Sequence, residues 1–344
     1  MRCLTLAEAL RQGGASCRFV CRAHPGNLIE VIRQRGFEVH TLPFDIHCSE
    51  PENAIQPHAG WLGADWQTDA EHTKVGAGET AIDWLIVDHY ALDASWERAL
   101  APYYRKLMAI DDLADRPHAC DLLLDQTFGR EAADYRPLVS ADCRLLCGSQ
   151  FALLRPEFAA LRPYSLQRRS QPALRELLIN MGGVDKDNAT GQVLQALRTC
   201  PLPADCRITV VMGATAPWLD DVKGLAQAMP WPTRVRVGVS DMAQLMADSD
   251  LAIGAAGATS WERCCLGVPT IMLVLAENQL KVAQGLKQGG AARLINPGQS
   301  ANIHLREEIL PFIDDAAQLL HMSECAASVV DGAGVDAVIR KMGG

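Results

Sequence analysis

The chain of 344 residues is short of several things, and each shortage removes a class of function. It has no excess of basic charge. The formal net charge of −9 argues against nucleic acid or an anionic membrane surface as the main partner. A diphosphate ligand stays compatible with that balance, because helix N-termini and backbone amides supply local positive potential. Long hydrophobic runs are also missing: the longest, residues 270–276, is far too short to span a bilayer. No charged n-region followed by an apolar h-region opens the chain, so a cytoplasmic protein is expected. Cysteine is plentiful at twelve residues, but metal-binding spacing is absent. Cys17-x-x-x-Cys21, Cys143-x-x-x-Cys147 and adjacent Cys264-Cys265 fit no zinc ribbon or C-x-x-C site. These thiols are expected to be reduced and to pack as small hydrophobes. Internal repeats and low-complexity tracts are absent as well.

The composition that remains, 49% hydrophobic and 21% charged, describes a soluble globular protein long enough for two domains with separate cores. Strand-like and helix-like segments alternate throughout, which predicts a parallel α/β architecture. In the first half, residues 4–11, 27–34 and 95–104 read as helices. Residues 16–21, 37–42, 84–87, 106–110 and 122–124 read as strands. Residues 44–78, polar and carrying Trp61, Trp66 and three histidines, read as a surface insertion. The polar, basic, proline-flanked stretch 162–172 reads as a linker. Beyond it a second series follows: strands over 174–181, 208–212, 235–239 and 292–295, and helices over 189–197, 219–229 and 280–287.

The densest chemistry lies between residues 251 and 279. The apolar strand Leu251-Ala252-Ile253 turns through Gly254, Ala255, Ala256, Gly257 and Ala258 into a helix beginning Thr259-Ser260. Small residues let the backbone approach a ligand, and the helix start offers N–H groups to an anion. Glu262 falls in the first helical turn, where a carboxylate accepts two hydrogen bonds from a ribose diol; complementing the helix dipole is the alternative. Pro269 starts a buried strand expected to end at Asn278-Gln279, a pair that either caps the next helix or meets a ligand. Gly182-Gly183 after the first strand of this half is either a capping turn or a second approach to phosphate. Asn188 either caps the following helix or touches ligand. An anion cradle, a diol reader and an amide pair in one strand–helix–strand unit describe a nucleotide-sugar site.

The stretch G-V-S-D-M-A-Q-L-M-A-D-S-D (238–250) followed by G-A-T-S-W-E resembles the uridine-binding stretch of the MurG-type N-acetylglucosaminyltransferases of the GT-B fold. V-D-H-Y (87–90), I-D-D-L-A-D-R (110–116), C-D-L-L-L-D-Q (120–126), L-L-R-P-E-F (153–158), G-G-V-D (182–185), S-W-E-R-C-C-L-G and D-G-A-G (331–334) resemble a narrower group. That group is the family of UDP-2,4-diacetamido-2,4,6-trideoxy-β-L-altropyranose hydrolases (PseG) of pseudaminic acid biosynthesis. The resemblance implies two Rossmann-like domains facing across a cleft. Residues 1–163 are expected to form a sugar or catalytic domain and 164–328 a UDP-binding domain, with 329–344 packing back on the first. The diphosphate would lie over Gly257, Ala258 and Thr259, with uracil near Met242 and Asn278-Gln279 at the acetamido sugar or its phosphates. The implied reaction is hydrolysis to UDP and free sugar by base-activated water attack at the anomeric carbon. Neither metal nor cofactor is expected, and no protein partner.

In that family a G-x-G-H-x-x-R-C turn follows the first strand, and its histidine is the proposed base. Here Met1-Arg2-Cys3 reads as the tail of that motif, so the histidine would lie before residue 1 and the N-terminal domain is expected to lack its first strand. A natural start upstream of Met1 is the corresponding expectation. Losing a general base typically costs about 10²–10⁴-fold in rate. Within the chain, His89 and Tyr90 are the candidates for chemistry at the end of a strand; a structural histidine is the alternative for His89. Asp111, Asp112, Asp115, Asp121 and Asp125 suggest either magnesium or turn capping, and capping accounts for them equally well. Three readings follow: the hydrolase, a MurG-like UDP-sugar glycosyltransferase, and a nucleotide-sugar binder without turnover.

Overall fold

A computed structural model describes residues 1–44, 58–78, 82–295 and 301–343. Its described strands pair only in parallel, as the alternating pattern predicts. The chain divides into two compact units, one formed by residues 1–153 with the C-terminal helix and the other by Leu154–Ala333.

The first unit runs α1 (Arg2–Gln12), β1 (Arg18–Arg22), α2 (Ile29–Gln34), β2 (Glu38–Leu42), α3 (Trp66–Ala77), β3 (Ile82–Val87), α4 (Ala94–Ala99), β4 (Tyr104–Ile110), β5 (Leu122–Asp125), α5 (Ala132–Tyr135) and β6 (Arg144–Cys147). Its strands form a four-stranded sheet in the order β3-β4-β5-β6 and a separate β1-β2 pair. Helix α1 serves both: Leu4 and Ala7 pack with Ile32 and Phe37 beside β1 and β2, while Leu6 packs with Met108, Ile110 and Leu122. Strands β4 and β5 show the continuous apolar burial of interior parallel strands, with Leu107, Met108, Leu122, Leu123 and Leu124 sealed from solvent. By contrast Trp84, Leu85 and Ile86 of β3, and Phe19, Val20 and Cys21 of β1, are only half-buried. Among the described residues no strand joins the pair to the larger sheet.

Three readings of this half change. The helix expected over residues 95–104 stops at Ala99, because Pro102 brings no N–H and a fixed φ, and Tyr104 already begins β4. The polar stretch expected as a surface insertion contains α3, capped by Asp65, whose carboxylate accepts from the Thr68 N–H. Residues 45–57 of that stretch lie outside the described residues. Strand β6 is too short, Arg-Leu-Leu-Cys, to have been read from periodicity.

The second unit runs α6 (Pro156–Arg169), β7 (Glu176–Asn180), α7 (Ala189–Leu197), β8 (Arg207–Met212), α8 (Leu219–Gln227), β9 (Thr233–Val237), α9 (Met242–Asp248), β10 (Leu251–Ala255), α10 (Thr259–Cys265), β11 (Thr270–Leu273), α11 (Leu280–Gln288), β12 (Arg293–Ile295), α12 (Ala301–Asp314) and α13 (Ala317–Val329). Its sheet has the doubly wound order β12-β11-β10-β7-β8-β9. The winding reverses between β7 and β10, so the turns leaving these two neighbours part and open a crevice at their C-terminal ends. That reversal decides where the site lies. The last helix, α14 (Gly334–Met342), belongs to the first unit, where Val335, Val338 and Met342 join Leu6, Met108 and Leu124.

The expected linker over residues 162–172 is mostly helix α6. Its arginines misled composition because they are caps. Arg169 is buried and donates to the carbonyls of Met246, Ser249 and Leu266, while Arg162 reaches those of Cys265, Ala327 and Val330. These carbonyls end α9, α10 and α13, where the helix dipole favours a cation.

Candidate functional site

At the winding reversal, Gly254 of β10 lies in register with Asn180 of β7 and Met272 of β11. The turns after β7, β10 and β11 therefore emerge side by side. The β10–α10 turn is the open one. The amide of Ala256 is tied to the Leu273 carbonyl, and that of Ser260 to the Gly257 carbonyl. Between them, the N–H groups of Gly257, Ala258 and Thr259 have no partner among the described residues. A Cβ built on Gly257 meets nothing within 4 Å, so the space above this glycine is free. Ser260, by contrast, is fully buried and faces inward rather than to a ligand.

The β7–α7 loop has the opposite character. Asp185, which sequence reading did not single out, is buried at positive φ and accepts from the amides of Ala189 and Thr190 at 2.8 and 2.9 Å. Asn188 takes the left-handed conformation and accepts from the Gly191 amide at 3.0 Å. Helix α7 is thus capped by its own chain, and Asn188 caps rather than waits for ligand. Gly182 needs its positive φ of 97°, and Gly183 stands exposed at the loop's edge with open space where a Cβ would project. The two glycines border the crevice without offering the helix end behind them.

Glu262 projects from the first turn of α10 with its side chain 18% exposed. Burial pushes its carboxyl up, against the pull of Arg155, whose guanidinium stands 3.7 Å away and also holds Glu157. A carboxylate so placed is only weakly paired and keeps oxygens available to accept hydrogen bonds. Met242 opens α9, partly buried. Strand β11 stops at Leu273, short of the amide pair. Asn278 and Gln279 instead form a helical turn, in which the Gln279 side-chain carbonyl accepts from the Leu275 amide at 3.0 Å and Asn278 is exposed.

The first unit gathers its own polar cluster where β3 and β4 end. Arg2, at the start of α1, holds Asp88 at 2.7 Å and Asp112 at 3.2 Å, and the Cys3 thiol donates to Asp88. Burial pushes the Asp88 carboxyl up, but Arg2 and Cys3 together hold it below the usual range. Asp112 goes the other way: burial outweighs Arg2 and the Tyr90 hydroxyl, and its carboxyl is raised. Tyr90 stands against Trp61 and His58, with ring centroids 5.8 and 5.5 Å away. His89 is differently employed. Its Nδ1 accepts from the Ala91 amide at 3.1 Å, and burial lowers its proton affinity. This is a histidine that holds a turn. The remaining aspartates are structural too: Asp111 and Asp125 both reach the Tyr135 hydroxyl at 2.8 Å and pair with Arg116 and Arg130, and Asp121 accepts from the Leu107 amide. Among the described residues no group of three or more histidine, cysteine, aspartate or glutamate side chains stands close enough to hold a metal. No described helix is long and apolar enough to cross a membrane.

Comparison with known proteins places the turn in a recognised domain. Residues 217–334 match the glycosyltransferase family 28 C-terminal domain. The chain is 24% identical over 284 residues to the uncharacterized protein MJ1062 of Methanocaldococcus jannaschii, covering 81% of this chain and 53% of that one. It therefore spans about half the length of that relative. It is 27% identical over 213 residues to the UDP-2,4-diacetamido-2,4,6-trideoxy-β-L-altropyranose hydrolase of Campylobacter jejuni, covering 62% of this chain and 73% of the hydrolase. The crystal structure of Acinetobacter baumannii MurG superposes with a TM-score of 0.68 at 14% identity, covering 99% of this chain and 95% of that one. The chain thus has the two-domain α/β GT-B fold, its residues 217–334 are similar to the glycosyltransferase family 28 C-terminal domain, and the match to the Campylobacter jejuni enzyme agrees with the resemblance to the altropyranose hydrolase family carried by its motifs.

Proposed function

We propose that the chain hydrolyses a UDP-activated diacetamido sugar of the altropyranose type to UDP and the free sugar. One observation carries the reading: three unpaired amides and an open glycine lie at the doubly wound reversal of the unit that contains the family 28 domain, beside a weakly paired carboxylate. The diphosphate is placed on the amides of Gly257, Ala258 and Thr259, and the ribose diol on Glu262. Uracil is placed near Met242, and Gly182, Gly183, Asn278 and the free amide NH₂ of Gln279 border the sugar diphosphate. Amides fixed before the reaction stabilise the charge that develops on departing UDP without reorganising, an effect worth several kcal/mol in comparable sites. Within the first unit, burial raises the proton affinity of Asp112, the carboxyl beside the Tyr90 hydroxyl.

Hydrolysis in H₂¹⁸O tests both reaction and bond. Water attack at the anomeric carbon puts ¹⁸O into the free sugar and none into UDP. Label in UDP refutes that attack, and UDP release only on addition of a sugar acceptor supports the glycosyltransferase instead.

A further inference from the structure

Directly beneath the β10–α10 turn lies a charge that needs explaining. Arg263 is 1% exposed, yet among the described residues its guanidinium pairs with no carboxylate. One terminal nitrogen donates to the Ala255 carbonyl at 2.8 Å and the Ser260 hydroxyl at 3.2 Å, the other to the Thr259 hydroxyl at 3.3 Å, and Nε has no partner at all. The strand makes room for it: a Cβ on Gly254 would stand 2.5 Å from the same guanidinium. Burial lowers its pKa to about 10, which leaves it cationic at neutral pH. The neighbouring Glu262 turns instead to Arg155.

A buried cation with neutral partners alone is costly, and an anion close by offsets that cost. We propose that Arg263 is the buried counter-cation of an anionic group held at the β10–α10 turn, acting through the Thr259 hydroxyl, and that this group is the diphosphate of the nucleotide placed there above. The route is chemical. Arg263 occupies a lone pair of Thr259 Oγ1, so the hydroxyl proton must point elsewhere, and the outward side of the turn carries the unpaired amides. The same guanidinium holds the Ala255 carbonyl and so fixes the backbone from which those amides project. Arg263 is a positioning residue here: it supplies charge and orientation from behind the turn and touches no substrate.

The test is an NMR titration of the full chain with UDP and, separately, with uridine. Arg263→Met should weaken UDP by roughly ten- to hundredfold, the range for hydrogen bonds to charged groups, and change uridine less than about twofold. Arg263→Lys should recover much of the loss, and Thr259→Val should reproduce part of it. Equal losses for UDP and uridine in Arg263→Met would reduce the residue to packing, and an unchanged UDP affinity would overturn the proposal while leaving the nucleotide reading intact. Should Arg263→Met fail to fold, Thr259→Val decides: a loss confined to UDP supports the proposal and none refutes it. If the wild type binds neither UDP nor uridine, the nucleotide reading fails by itself. Inorganic pyrophosphate, followed on the amide resonances of Gly257, Ala258 and Thr259, then tests the anion alone. Shifts that Arg263→Met abolishes support the proposal, and a wild type without shifts overturns it.

Discussion

A methyl group on Gly257 separates the folded turn from the ligand it is proposed to hold. This glycine is not among those at positive φ, and a Cβ built on it meets nothing within 4 Å. Gly257→Ala therefore introduces no strain, and its smaller unfolded-state entropy should leave stability unchanged or raise it by about 0.4–1 kcal/mol. For a unit of this size that is at most roughly 4 °C in Tm. Binding should respond in the opposite direction. A phosphate oxygen on the amides must approach within about 3 Å, and the methyl occupies that approach. Losing one charge-assisted hydrogen bond costs about 1.5–3 kcal/mol, roughly ten- to hundredfold in UDP affinity. Gly254→Ala is the internal control, because its Cβ would stand 2.5 Å from the Arg263 guanidinium and 2.7 Å from the Asn180 carbonyl oxygen. Overpacking of that kind costs about 1–3 kcal/mol, so Tm should fall by roughly 2–12 °C. Differential scanning calorimetry and UDP titration on the two variants check both halves. A Gly257→Ala protein that melts normally and binds UDP as tightly as the wild type would refute the placement of the diphosphate.

Three further outcomes follow from the same geometry. Glu262→Ala should weaken UDP about tenfold and erase discrimination against 2′-deoxy-UDP, since the lost acceptor is the one proposed for the diol; competition titration of the two nucleotides reads this directly. Asp185→Ala removes the acceptor for two α7 amides and should cost about 1–2 kcal/mol, a fall of roughly 2–8 °C in Tm by calorimetry. Asp88 is held below its unfolded proton affinity, so it adds stability above about pH 4 and loses it as pH falls further. Asp88→Asn should accordingly lower Tm at pH 7 and flatten the acid limb of the Tm–pH profile of the first unit.

Periodicity and turn chemistry made much of the fold legible. The β10–α10 turn was readable because glycine and alanine between an apolar strand and a helix start leave few other structures open. What escaped were charges inside the protein. Arg162 and Arg169 gave their segment the composition of a linker, yet they close the ends of three helices. Arg263 reads in one dimension as one more polar residue of a helix; only the register that sets Gly254 above it reveals a buried cation. Asp185 and Asn188 share a loop with Gly182-Gly183, and spacing alone does not separate a loop that caps its own helix from one that leaves amides free. His89 reads as a candidate base because it ends a strand. That its Nδ1 is spent on the Ala91 amide depends on how the chain turns after the strand.

Phosphorus NMR of the chain with UDP-2,4-diacetamido-2,4,6-trideoxy-β-L-altropyranose tests the nucleotide site and its chemistry together. The account predicts that the diphosphate resonances shift on binding and that those of free UDP then appear without any acceptor. Diphosphate resonances that neither shift nor convert would contradict it.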